Sequence, residues 1–179
     1  MSNLITKLDN PKTAAYLNLK KYVLSVRIPW FYREDSIPYD VDNADGKYFN
    51  TPIYGHTFLA RPSAFNNKIA RENSSELPLA SQVFLEIFEH NDININYFLR
   101  INANSVHPQQ KVLETFPHVD HFFEHKNILI YLTDSGGETI VCDESYDPKE
   151  DDIIIFGGEE HHHKTPEKNR RVVLVATFN

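Results

Sequence analysis

The residues best suited to chemistry are His118 and Asp120, in "FPHVDHFFEH", and the downstream run "FGGEEHHHKTP" with His161, His162 and His163. Side chains two apart in a strand point to the same face. An imidazole nitrogen of His118 and a carboxylate oxygen of Asp120 can therefore converge on one ion. A further histidine from a later strand end would complete a facial set of two His and one carboxylate. Such a set leaves open positions on iron(II) for a cosubstrate and O2. The pattern alone is weak, because the chain has nine His and a histidine run in a loop is ordinarily solvated. If the run is strand-like, His161 and His163 share one face and His162 takes the other.

Arg170 and Arg171 open the apolar stretch "RRVVLVATF". A guanidinium is costly at the start of a core strand unless it meets an anion. It grips a planar carboxylate through two parallel hydrogen bonds. By alternation Arg171, Val173, Val175 and Thr177 share one face, and Arg170, Val172, Leu174 and Ala176 the other. One arginine can face a cavity while its neighbour faces away.

These residues need elements to position them. After residue 94 the chain runs through "NINYFLRINANSV", "KVLETFPHV", "NILIYLT", "ETIVCD", "DIIIFGG" and "RRVVLVATF", each bounded by polar, Gly or Pro residues. Short apolar or alternating runs so punctuated predict an antiparallel sandwich or barrel. Upstream, "LKKYVLSVRIPWFYRE" reads as a strand ending near Pro29. "DSIPYDVDNADGKYFNTPIYG" reads as turns and loop. "ELPLASQVFLEIFEHND" is the best helix, with Leu79, Val83, Phe84, Ile87 and Phe88 at helical spacing and Ser81 as a candidate cap. The change near residue 94 is one of texture, not a linker, so a single domain is expected over 1–179.

Composition narrows the class. The chain has 179 residues, 41% of them hydrophobic, with 12 Phe and 9 Tyr, which is a globular composition. The lone Cys142 excludes an internal disulfide framework and fits a reducing, cytoplasmic compartment. "MSNLITKLDN" lacks the basic and apolar regions of a secretory signal, and no apolar run is long enough to span a bilayer. A net charge of −7 argues against a broad nucleic-acid surface.

His118-x-Asp120, then His162, Pro166 four residues later and Arg171 nine residues after that His together resemble the Fe(II)/2-oxoglutarate-dependent dioxygenases. More narrowly, they resemble the prolyl-hydroxylase-type branch and the short oxygenases encoded by bacteriophages. "ILIYLTDSGGETIV" is similar to that branch's strand with a Tyr-Leu-Asn step and Gly-Gly turn, and "DPKEDDIIIFGG" to its segment before the distal His. The resemblance covers roughly residues 96–178. Residues 1–95 match only in "IPWFY". The nine-residue offset fits His161 with Arg170 as well as His162 with Arg171. The Pro four residues after the ligand, and the spacing from Phe156, select His162.

The resemblance implies a mainly β fold with flanking helices and a double-stranded β-helix (jelly-roll, cupin-like) core over 95–179, supported by 1–94. It implies Fe(II) bound by His118, Asp120 and His162, with 2-oxoglutarate as cosubstrate, O2 as oxidant and ascorbate as reductant. Arg171 would pair with the distal carboxylate of 2-oxoglutarate, and Tyr131 would donate its hydroxyl to the same group. Asn102 or Asn104 would line the cosubstrate pocket. Thr133 stands where the branch has Asn. The activity implied is hydroxylation of a C–H bond in a peptide, protein or small molecule, peptidyl proline first, with release of succinate and CO2. If phage-encoded, the protein would work in the host cytoplasm. Residues 36–56 would form a loop over the mouth of the site. A cupin-like metalloenzyme without 2-oxoglutarate and a non-catalytic phage binding module are the competing readings.

Overall fold

The computed structural model describes residues 3–36, 46–62 and 69–179. Two helices, α1 (Ala14–Leu24) and α2 (Leu77–His90), pack on a large antiparallel sheet. The N-terminal strands are β1 (Thr6–Leu8), β2 (Phe31–Arg33), β3 (Tyr48–Phe49), β4 (Ile53–Ala60) and β5 (Arg71–Glu72). After α2 follow β6 (Phe98–Val106), β7 (Glu114–Thr115), β8 (Lys126–Tyr131), β9 (Thr139–Val141) and β10 (Glu144–Tyr146). The last three are β11 (Ile153–Phe156), β12 (His161–His163) and β13 (Arg171–Phe178).

The main sheet runs β1-β11-β8-β13-β6-β4-β2, with β5 on β4. A three-stranded sheet, β10-β9-β12, and the parallel pair β3-β7 complete a jelly-roll core. Strands from before residue 94 thus pair directly with strands from after it, β4 against β6. Among the described residues no helix is long and apolar enough to cross a membrane.

Alternation divides the long strands as their sequences predict. On β13, Val172, Leu174, Ala176 and Phe178 enter the core beneath the helices, beside Ile101 and Ala103 of β6 and Ile128 and Ile130 of β8. The opposite faces of β13 and β6 look into a cavity. α2 contributes Ala80, Val83, Phe84, Ile87 and Phe88 to the core, each large side chain stabilising the fold by about 2 kcal/mol.

Three expectations need correction here. Residues 19–24, expected in a strand, belong to α1. Thr13 caps that helix by accepting from Tyr16 N, and Ala15, Tyr16, Leu19 and Val23 form its buried stripe. That spacing is helical and overrides the β-branched residues that suggested a strand. Ser81 lies inside α2, not at its cap; the helix starts at Leu77 with Pro78 in its first turn, where a missing N–H costs nothing. Within the expected mouth loop, 46–56 instead supplies β3 and the first half of β4, and 37–45 lies outside the described residues.

Candidate active site

The geometry of the candidate metal group begins with one backbone contact. His118 and His161 form an isolated antiparallel bridge, with His118 N donating to His161 O at 3.0 Å and His161 N to His118 O at 2.9 Å. The bridge sets the two rings side by side, centroids 4.6 Å apart. Asp120, two residues on from His118, reaches the same point. Ligand atoms of His118, Asp120 and His161 all lie within 4.8 Å of one another.

The hydrogen bonds orient both imidazoles. His118 Nδ1 faces Phe116 O at 3.4 Å and His161 Nδ1 faces Glu159 O at 3.0 Å. With Nδ1 as donor, each Nε2 keeps its lone pair for a ligand bond. Burial, with His161 alongside, pushes His118 down to about 4, and burial also lowers His161. For Asp120, burial alone would raise the carboxyl. Arg100 and the neighbouring His161, His118 and Arg61 outweigh it and hold Asp120 well below the usual carboxylate range. At neutral pH the group is two neutral imidazoles and one carboxylate, the donor set that suits a non-haem Fe(II) centre.

His161, not His162, completes this group. β12 pairs antiparallel with β9, so alternate side chains face opposite ways. All three histidines border the cavity, but only His161 brings a ring nitrogen to His118 and Asp120. The His162 ring lies edge-on to Tyr48 at 5.4 Å, with Nε2 3.7 Å from Glu114 Oε2. The Pro166 spacing that selected His162 does not report strand pairing, and it is the bridge to His118 that brings His161 to the group.

Arg171 lies at the opposite end of the cavity, 6% exposed. Its Nε donates to Gly137 O at 3.0 Å, its Nη2 to Thr139 Oγ1 at 2.8 Å, and its guanidinium stacks 5.3 Å from the centre of the Tyr131 ring. These are neutral partners, so the cation is pinned without being neutralised. Gly137 is a glycine for a physical reason. It has φ of +82°, and a Cβ would come within 2.8 Å of Lys164 O and 2.9 Å of Arg171 Cδ. Arg170 turns away and reaches Leu24 O.

Tyr131 is buried beside Arg171. Its hydroxyl is engaged with Thr139 Oγ1 at 2.7 Å, and the ring supports Arg171 from below. Burial, partly offset by Arg171, raises its pKa to about 12. Thr139, rather than Tyr131, lines the cavity. Thr133 accepts from Val172 N at 3.0 Å and donates to Arg170 O at 2.9 Å, clasping the start of β13. Asn102 and Asn104 both line the cavity. Asn102 Nδ2 donates to Asn104 Oδ1 at 2.7 Å, which leaves Asn102 Oδ1 buried without a partner.

The cavity joining the two ends holds about 450 Å³. Sequence reasoning missed four contributors. Arg100 donates to Asp120 Oδ2 at 2.8 Å. Arg61 donates to Asp120 O at 3.0 Å. Gly137 and Thr139 position Arg171. Arg100 was legible as sharing the face of Asn102 and Asn104, but nothing in the sequence paired it with Asp120. His163 lines the cavity with a buried, unpartnered Nε2. His121 is tied to Thr177 Oγ1 at 2.9 Å, and His125 Nδ1 lies 2.8 Å from Phe123 O.

No protein-family profile matches the chain, and no curated protein matches it. Solved structures do. An oxidoreductase of the 2OG-Fe(II) oxygenase family from Burkholderia pseudomallei is 14% identical with a TM-score of 0.66, the match covering 98% of this chain and 85% of that one. A Trichoplax adhaerens prolyl hydroxylase, solved with a peptide fragment of the hypoxia inducible factor oxygen degradation domain, is 10% identical with a TM-score of 0.59, over 99% of this chain and 84% of that one. A Pseudomonas putida prolyl-4-hydroxylase is 11% identical with a TM-score of 0.52, over 99% and 94%. The chain therefore has the fold of the solved 2-oxoglutarate and Fe(II) oxygenases, prolyl hydroxylases among them.

Proposed function

We propose that this protein is an Fe(II)- and 2-oxoglutarate-dependent dioxygenase that hydroxylates a C–H bond. One observation carries the reading. A two-His, one-carboxylate group and a buried arginine with no acidic partner among the described residues share one cavity. His118, Asp120 and His161 would hold the metal, and Arg171 with Thr139 would receive the distal carboxylate of 2-oxoglutarate. When bound, Fe(II) with 2-oxoglutarate and O2 supplies the oxidation of C–H to C–OH, with succinate and CO2 as coproducts.

The chain's own work is orientation and exclusion of water. Nδ1–H donation to backbone carbonyls fixes both imidazoles. Arg100 grips Oδ2 of Asp120 at 2.8 Å and fixes the orientation of the carboxylate. Val173 and Val175, between the two ends on β13, keep an apolar wall along the cavity. The peptide bound by the Trichoplax adhaerens neighbour supports a peptide or protein substrate, with a prolyl residue first among the candidates.

The reading is tested by anaerobic addition of 2-oxoglutarate to the Fe(II)-loaded protein, followed by O2 and succinate detection. A visible chelate absorption and succinate formation are expected, both lost in Asp120→Ala. A metal-loaded protein that binds no 2-oxoglutarate overturns it.

A further inference from the structure

His163 lines the cavity, yet its Nε2 is buried with no hydrogen-bond partner among the described residues. Its Nδ1 has a long approach of 3.4 Å to Thr115 Oγ1, at the far edge of hydrogen-bond range. That hydroxyl is already committed. It donates to His163 O at 3.0 Å and accepts from His163 N at 3.1 Å. Thr115 therefore fixes the backbone of β12 without pinning the imidazole, which can carry its proton on either nitrogen. An imidazole nitrogen buried without a partner is destabilising until a ligand supplies one.

Sheet register places the ring. His163 pairs with Thr139 across β12 and β9, and directly opposed residues carry their side chains on one face with Cβ atoms about 5 Å apart. Thr139 Oγ1 is the group that accepts from Arg171 Nη2 at 2.8 Å. His163, Thr139 and Arg171 therefore border one corner of the cavity. Along β12, His163 follows His161 by two residues on the same face, roughly 6.6 Å further on. The strand thus runs from the metal group at His161 to the arginine corner at His163. The carboxyl carbons of 2-oxoglutarate are roughly 5 Å apart, at ~1.5 Å per C–C bond. With its oxo acid end at the metal group, its distal carboxylate comes level with His163.

We propose that His163 is a specificity-determining residue of the cosubstrate pocket, its Nε2–H donating to the distal carboxylate of 2-oxoglutarate beside the Arg171 guanidinium. The proposal rests on the oxygenase reading above. A carboxylate oxygen accepts and cannot donate, so the imidazole must present a donor. The neutral ring does so with its proton on Nε2, and the long Nδ1 contact is little to give up. Arg171 supplies the charge from the main sheet, and His163 adds a second donor from the three-stranded sheet. A ligand without the second carboxylate leaves two buried groups unmatched instead of one. That difference is selectivity for a dicarboxylic oxo acid.

The test is calorimetric titration of the Zn(II)-loaded protein with 2-oxoglutarate and with 2-oxopentanoate, which has the same oxo acid head and no second carboxylate. His163→Leu should weaken 2-oxoglutarate at least about tenfold, the effect of one hydrogen bond to a charged group. It should weaken 2-oxopentanoate by less than about twofold. His163→Gln carries an N–H near the place of Nε2 and should recover most of the loss. Zn(II) affinity and thermal melts of each variant should match the unmodified protein, which separates a ligand contact from a disturbed fold. His163→Asn, polar but too short to reach the carboxylate, replaces His163→Leu should that chain not fold. Unchanged 2-oxoglutarate affinity in His163→Leu, equal losses for the two oxo acids, or no recovery in His163→Gln overturns the proposal. If the unmodified protein binds no 2-oxoglutarate, the oxygenase reading falls, and the proposal with it.

Discussion

The two ends of the cavity hold their arginines in opposite ways. Arg171 is surrounded by a carbonyl, a hydroxyl and an aromatic ring, so its position is set while its charge is unspent. Arg100 meets a carboxylate at 2.8 Å, so its charge is largely spent on Asp120. The difference separates two jobs. An arginine meant for a ligand needs neutral supports, because an acidic one would compete with the ligand. An arginine meant to hold a metal ligand needs that ligand's own charge.

The largest expected effect tests the metal end. His161→Ala should abolish stoichiometric Fe(II) or Zn(II) binding, whereas His162→Ala should keep it within a few-fold; equilibrium dialysis distinguishes them. If His162→Ala is the variant that loses metal, the assignment from β12 pairing falls. Next comes the other end. Arg171→Gln should weaken 2-oxoglutarate binding about 100-fold, from loss of a buried charge-assisted pair, with metal binding retained. Arg100→Gln should behave oppositely, costing roughly 10-fold in metal affinity as an outer partner of a ligand carboxylate and little in 2-oxoglutarate affinity. If both substitutions act on the same ligand, the contrast between the ends is broken.

Gly137→Ala sharpens the contrast by disturbing only the support of Arg171. The new methyl meets Lys164 O and Arg171 Cδ below 3.0 Å at positive φ. Stability should fall by about 1–3 kcal/mol, and 2-oxoglutarate affinity should fall with metal affinity intact. The smallest effect is on pH. Burial, with His161 beside His118 and His125 beside His121, pushes both histidines down to about 4. The unfolded chain protonates them near 6.5. The folded metal-free protein therefore loses stability as pH falls through about 6.5, and the loss saturates below about 4. Urea midpoints measured from pH 7.5 to 4 should decline monotonically; a flat profile refutes the buried neutral imidazoles.

Much of the fold was legible because it depends on local period. The strands at 98–106, 153–156 and 171–178 fall within the apolar or alternating runs that announced them, and the strand at 126–131 starts one residue before its run. α1 was misread because its β-branched and aromatic residues mimic a strand when read from Leu19. Its cap at Thr13 and its buried Ala15 and Tyr16 lie outside that window. β4 was hidden by Gly, His and Thr in "IYGHTFLA", which spoil an apolar run but suit a strand that pairs on both sides.

What the sequence by itself determined was which side chains share a face: Arg171 with Val173 and Val175, Asn102 with Asn104, His118 with Asp120, His161 with His163. Alternation requires this whatever the strand's neighbours. Only the tertiary structure decided which face looks inward and what lies across from it. The backbone bridge of His161 to His118 selects one of three adjacent histidines. The meeting of Arg100 with Asp120 likewise depends on elements brought together at long range. Such pairings are set by sheet register and by the close approach of distant backbones, and spacing along one chain carries neither.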